Sequence, residues 1–244
     1  MKLPAGIGRI SLDRAFEATE FYPPLGFYPF AEYELGNGDT FGLYWPFGRE
    51  QEEPLVGELR HDEWRLAPVY SKLDVFLRVT EPLEEEEYPE PPSLDGDPHS
   101  PFACFAGAQE ELRAQRVEAA VALLERAVGV LPEYTEALNV LGAQYIRLGR
   151  YDEACKVAVR AIISPPCFGD RPTKLLRWFA FQKDLPPALE HDPVAAIRGG
   201  LRLVFGGSKE NSDYPQLLKA IEQYVQQSEI LKAITLMQTY GELM

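Results

Sequence analysis

Three histidines, three cysteines and one His-Asp-Glu run are the residues of this 244-residue chain best suited by type to catalysis or metal binding. His61, His99 and His191 lie far apart in sequence, so no two form the i, i+4 ligand pair that one helix offers a metal. In His61-Asp62-Glu63, neighbouring side chains of an extended segment point to opposite faces and do not converge on one ion or substrate. Cys104, Cys155 and Cys167 lack paired metal-type spacing. The first two fall on expected helices, where a reduced thiol packs as a small apolar group. Cys167, next to Pro166, has no evident histidine base. Gly206-Gly207-Ser208-Lys209 lacks both the spaced glycines and the Gly-Lys-Ser/Thr ending of a phosphate-cradling loop. The reading is of a protein that is not an enzyme and needs no metal or cofactor, with its function in its binding surfaces.

The elements that would carry such surfaces begin with a small α+β region. Ser11 can cap a short helix to Thr19, followed by an aromatic and proline-rich connection over Phe21–Phe30. Ala31–Leu35 reads as a strand, Gly36–Asp39 as a turn and Thr40–Trp45 as the returning strand. Leu55–Arg60 is a third strand, and Ser71 can cap a helix through Val79 with Leu73, Phe76 and Leu77 on one side. Tyr44, Trp45 and Phe47 lie beside Arg49, Glu50, Glu52 and Glu53, so an aromatic strand end meets an acidic loop. Aromatic anchors rimmed by charge suit a protein interface, and the loop carboxylates are the stronger candidates for contact. The strand aromatics can equally be core. Asp62 and Glu63 supply a second acidic loop.

The order of these pieces resembles the SUKH superfamily, related to the yeast Smi and Knr cell-wall regulators. The likeness is carried by the Gly-Asn-Gly-Asp turn into an aromatic strand, the acidic loop and Pro-Leu-Val strand, the His-Asp-Glu-Trp segment and the helix ending in Phe-Leu. The stretch runs from Phe27 to Leu77, and the longer opening helix and Leu-Pro turn usual in that superfamily are abbreviated or missing. The resemblance implies one small sheet domain, and for bacterial members an immunity protein that binds and neutralises a polymorphic toxin, often a nuclease.

Charge is placed unevenly. Residues 1–100 hold 21 Asp/Glu and 8 Lys/Arg, whereas residues 101–244 hold 17 and 16, which together account for the net −14. So acidic a front half disfavours nucleic acid as a direct ligand. It suits a basic protein partner, or serves solubility alone. Glu81–Pro101 carries eight acidic residues and six prolines and reads as an extended linker or a binding arm, with Tyr88 and Leu94 available to pack. No apolar run approaches the length of a membrane span, and the N-terminal stretch does not read as a secretory signal. Together with the odd number of cysteines, this points to a reducing cytoplasm.

The second half matches itself at an offset of 34 residues, with Ala120 on Ala154, Ala127 on Ala161 and Pro132 on Pro166. That period, with Gly142, Ala154 and Ala161 as small positions and Leu138, Leu141 and Tyr145 as large ones, resembles the tetratricopeptide repeat. Small residues are needed where two helices cross closely. Such arrays present the first helix of each repeat to a groove. The groove candidates are Phe102, Phe105, Gln109 and Leu112 in the first copy, and Glu136, Asn139, Ala143 and Ile146 in the second. Linker or tail could fill that groove instead. Beyond Pro166, helices are expected over Lys174–Gln182, from Asp192-Pro193 to about Phe205, and over Tyr214–Gln226 and Ser228–Tyr240.

The expected architecture is therefore an α+β domain over 1–80, SUKH-like, then an acidic linker over 81–100. An all-α, tetratricopeptide-like solenoid follows, with two repeats over 101–168 and capping hairpins over 169–244. The expected role is immunity against a basic cognate toxin, and the alternative is a scaffold or co-chaperone that holds a peptide of a cellular protein. Neither nucleic acid nor membrane is expected as a partner.

Overall fold

The computed structural model describes residues 1–13, 22–34, 38–83, 87–203 and 213–243. Most of the helix expected over Ser11–Thr19, and part of the Gly36–Asp39 turn, lie outside the described residues. The chain divides into two compact units, Met1–Pro132 and Glu133–Met244.

The first unit is built on an antiparallel meander of β1 (Phe27–Glu34), β2 (Thr40–Tyr44), β3 (Leu55–Arg60) and β4 (Arg65–Tyr70). Thr40 pairs with Leu59 and Tyr44 with Leu55, so β2 and β3 are in register throughout. The register slips once between β3 and β4, around Val56 and Glu58. Pro68 argues against a strand in the sequence, but β4 is an edge, where a missing N–H costs the ladder nothing. α1 (Leu73–Thr80) follows β4 directly. Its Phe76 is the hub of the core, with the rings of Phe30, Tyr33, Phe41 and Tyr70 all within 4.9–5.5 Å.

Residues 87–100 run along this sheet. Tyr88 lies 5.9 Å from Phe41, ring to ring. The Tyr70 hydroxyl donates to the Glu90 carbonyl at 3.0 Å, and the Ser71 N–H donates to the buried Asp97 carboxylate at 2.7 Å. Ser100 then caps α2 (Pro101–Arg113), which pairs with α3 (Val117–Val130). Ser100 accepts from the Ala103 N–H at 3.0 Å and donates its own proton to the Val69 carbonyl, so one hydroxyl both starts α2 and fastens it to β4.

The second unit opens with α4 (Thr135–Arg147) and α5 (Tyr151–Ile163), paired as a hairpin. The starts of α2 and α4, and of α3 and α5, are each 34 residues apart, matching the self-similarity of the sequence. Ala120, Ala127, Ala154 and Ala161 are all fully buried, as helix crossings require. A short 3-10 turn at Pro166–Phe168 leads to α6 (Thr173–Ala180), and α7 (Pro193–Ile197) is shorter than its sequence pattern suggests. α8 (Asp213–Gln226) and α9 (Ile230–Leu243) form the last hairpin. Asp192 caps α7 as expected, accepting from the N–H groups of Val194 and Ala195 at 3.0 Å each. The same carboxylate accepts from the Tyr224 hydroxyl at 2.9 Å and faces Lys232 at 3.4 Å, which binds α7 to both final helices. The coarse architecture is thus a four-stranded antiparallel sheet near the N-terminus followed by helices.

Candidate partner-binding groove

In the second unit a groove of about 470 Å³ runs along α4. Asn139, Ala143 and Ile146, at i, i+4 and i+7, form one wall, and residues 170–175 form the other. The Asn139 side chain donates to the Asp170 carbonyl at 2.7 Å, which fixes the far wall. Gly169 makes this possible, because a Cβ there would lie 2.4 Å from the Glu136 backbone nitrogen and its φ is +146°. Any larger residue at that point would hold the following segment away from α4. Gly142 acts similarly one turn further on, where Leu175 of α6 sits in the space a Cβ would take. Along the same wall, the Gln144 Oε1 atom is buried and without a hydrogen-bond partner. A desolvated acceptor of this kind is costly until a donor reaches it. An apolar trough with side-chain amides suits an extended chain whose backbone can be both donor and acceptor.

Of the second-copy groove positions, Asn139, Ala143 and Ile146 are therefore brought together, while Glu136, exposed beside Gly169, lies outside the lining. Part of the space is taken by residues 170–175, the tail-filling alternative already open in the sequence. In the first unit Phe105 is buried, and Phe102, Gln109 and Leu112 are half-buried on α2.

The front candidates separate into interior and surface. Tyr44 and Trp45 are 1% and 2% exposed and present nothing to a partner. The reason is that β2 is buried along its whole length, so alternation along the strand does not bring either ring to solvent. Arg49 is engaged within its own unit, donating to the carbonyls of Gly129 and Val130 at 2.8 and 3.2 Å, where it neutralises the C-terminal end of α3. Glu50, Glu52, Glu53, Asp62 and Glu63 are exposed. Asp62 meets His61 at 2.9 Å and Glu63 lies 3.7 Å from Arg60, both as surface pairs.

Among the described residues no three His, Cys, Asp or Glu side chains gather where they could hold a metal ion. Burial pushes the thiols of Cys104 and Cys155 up, which keeps them protonated and poor nucleophiles. The titratable group that sequence reading missed is Glu242 near the end of α9. Burial raises its carboxyl to about 7, although the Cys167 N–H at 3.1 Å and the Gln238 amide at 2.9 Å favour the charged form. No sequence signal marks it, because the turn that packs against it and donates to it lies 75 residues earlier. None of the described helices is long and apolar enough to cross a membrane.

Sheet, hairpins and groove define a two-part α+β and helical protein with an amide-lined trough along α4. The YfbP N-terminal domain family matches residues 12–89, which holds the whole sheet and α1, and the YfbP C-terminal domain family matches residues 204–244, which holds the α8–α9 hairpin. The protein YfbP of Escherichia coli (strain K12) is 34% identical over 224 residues, covering 91% of this chain and 79% of that protein. The chain belongs to the YfbP family. No solved structure matches it. Neither the SUKH superfamily nor the tetratricopeptide family is found, so both resemblances are corrected. The residues that suggested them are general needs of folding. A Gly-Asn-Gly turn before an aromatic strand serves any hairpin, and small residues at helix crossings serve any close helix pair.

Proposed function

We propose that the protein is a non-enzymatic adaptor that holds an extended peptide segment of another cellular protein in the α4 groove. The observation that carries this reading is the convergence of Asn139, Ala143 and Ile146 on one 470 Å³ trough. Ala143 is exposed on the groove wall, so a large side chain there fills the trough without disturbing the buried face of α4. The test is a random dodecapeptide library selected against the full chain. Peptides are expected to be enriched, and Ala143→Trp is expected to weaken them by about tenfold or more, as loss of a central anchor site does. Selection that yields nothing, or peptides indifferent to Ala143→Trp, would sink it.

Toxin neutralisation was expected only through the SUKH resemblance. Its remaining support is the set of exposed carboxylates at Glu50, Glu52, Glu53, Asp62 and Glu63, which suit a basic protein face.

A further inference from the structure

Positive charge is concentrated around α6. Residues 171–183, Arg-Pro-Thr-Lys-Leu-Leu-Arg-Trp-Phe-Ala-Phe-Gln-Lys, hold four cations and no carboxylate, and residues 143–151, the end of α4 and the turn into α5, hold two more and no carboxylate. In a half of the chain that holds 17 Asp/Glu against 16 Lys/Arg this is a local excess of positive charge. The fold concentrates it. α6 buries Leu175, Leu176 and Phe179, which leaves Lys174, Trp178 and Phe181 along its opposite face at i, i+4 and i+7. Phe181 is 80% exposed, and Arg177 is exposed beside it. Tyr151, 55% exposed at the start of α5, stands 6.2 Å from Trp178, ring to ring. Lys174 also lines the groove, so the aromatic and basic stripe continues the trough along α4.

Single exposed apolar residues are ordinary. Rings of Tyr, Trp and Phe gathered among exposed Lys and Arg are the composition of a binding hot spot. We infer that the occupant of the α4 groove, on the reading proposed above, is an acidic segment of a partner protein, with aromatic or aliphatic residues that rest on Tyr151, Trp178 and Phe181 and carboxylates that meet Lys174 and Arg177. Charge complementarity names the class. A cationic segment would bury its charges against these cations, at a cost no apolar contact offsets. A single-stranded nucleic acid could also stack on the rings, but a polyphosphate draws its affinity from many phosphate contacts, and the stripe offers it two exposed cations, Lys174 and Arg177. A short acidic peptide needs no more than those two cations and the exposed rings beside them.

The same dodecapeptide selection tests this, followed by fluorescence anisotropy on the enriched peptides and on an oligothymidine of twelve nucleotides. Enrichment in Asp and Glu around an aromatic or aliphatic residue is expected, with affinity reduced about tenfold in the Lys174→Glu/Arg177→Glu variant and again in Phe181→Ser. All these positions are exposed or half-exposed, and circular dichroism checks that the variants remain folded. Peptides without acidic bias that resist the charge reversal yet fail on Ala143→Trp would overturn this inference and leave the groove reading standing. Tighter binding of the oligothymidine than of any peptide would overturn it in favour of a nucleic-acid surface. An empty selection would remove both.

Discussion

Glu242 is the described carboxyl that burial pushes toward neutrality. Its carboxyl rises from the usual value near 4.5 to about 7, with burial as the main cause. The folded state therefore holds this proton more tightly than the unfolded one. The resulting stability is fully present below about pH 4.5 and is lost as pH rises through about 7, with an upper bound of about 3 kcal/mol for a shift of this size. Glu242→Gln should flatten the dependence of the urea midpoint on pH across that window, and leave the variant relatively more stable at pH 8 than at pH 5. An unchanged slope would show that the carboxyl ionises freely in the native state. Asn139 illustrates the opposite case, a residue legible from its spacing alone. Its place on the exposed side of a helix whose Leu138, Leu141 and Tyr145 are buried marks it as a surface amide, and the structure sets it on the groove wall.

At the scale of elements, caps and turns carry more than propensity does. Ser100 serves two backbone partners at once, one in α2 and one in β4. Ser100→Ala should cost about 1–2 kcal/mol in chemical denaturation, the upper part of the usual range because the Val69 carbonyl also loses its partner. A cost below about 0.5 kcal/mol would mean that α2 is held by packing alone. Elements also show where periodicity misleads. Ile230, Leu231, Ile234 and Met237 form the apolar stripe of α9, yet all are exposed by 36% or more. The inward face is instead Ala233, Leu236 and the polar pair Gln238 and Thr239. Thr239 is drawn inward by its hydrogen bond to the Ile163 carbonyl of α5, and Gln238 bonds Glu242 of its own helix, whose carboxylate accepts from the Cys167 N–H. The two hydrogen bonds to other elements, Thr239 to the Ile163 carbonyl and the Cys167 N–H to Glu242, thus set the rotation of the helix against its hydrophobic stripe.

At the scale of the whole molecule, the boundary of the first compact unit falls at Pro132, beyond the sheet and α1. Residues 87–130 contribute the Tyr70–Glu90, Ser71–Asp97, Val69–Ser100 and Arg49–Gly129 hydrogen bonds, so the sheet is completed by chain well after it. A chain ending at residue 80 should therefore melt at a clearly lower temperature than one ending at residue 132, by at least about 10 °C if several kcal/mol are lost. Equal melting temperatures would make the sheet and α1 self-sufficient. Much of this plan was legible beforehand. β2, β3, the apolar face of α1, the 34-residue offset of the hairpins and the Asp192 cap all follow from local rules, namely turn chemistry, alternation, small residues at crossings and capping. Determined only by the tertiary structure are β4 with its Pro68, the double burial of β2, the engagement of Arg49, the rotation of α9 and the proton held by Glu242. Each depends on a partner far away in the chain, and local sequence carries no record of which distant group will arrive to desolvate a carboxyl, cover a strand or accept a hydrogen bond.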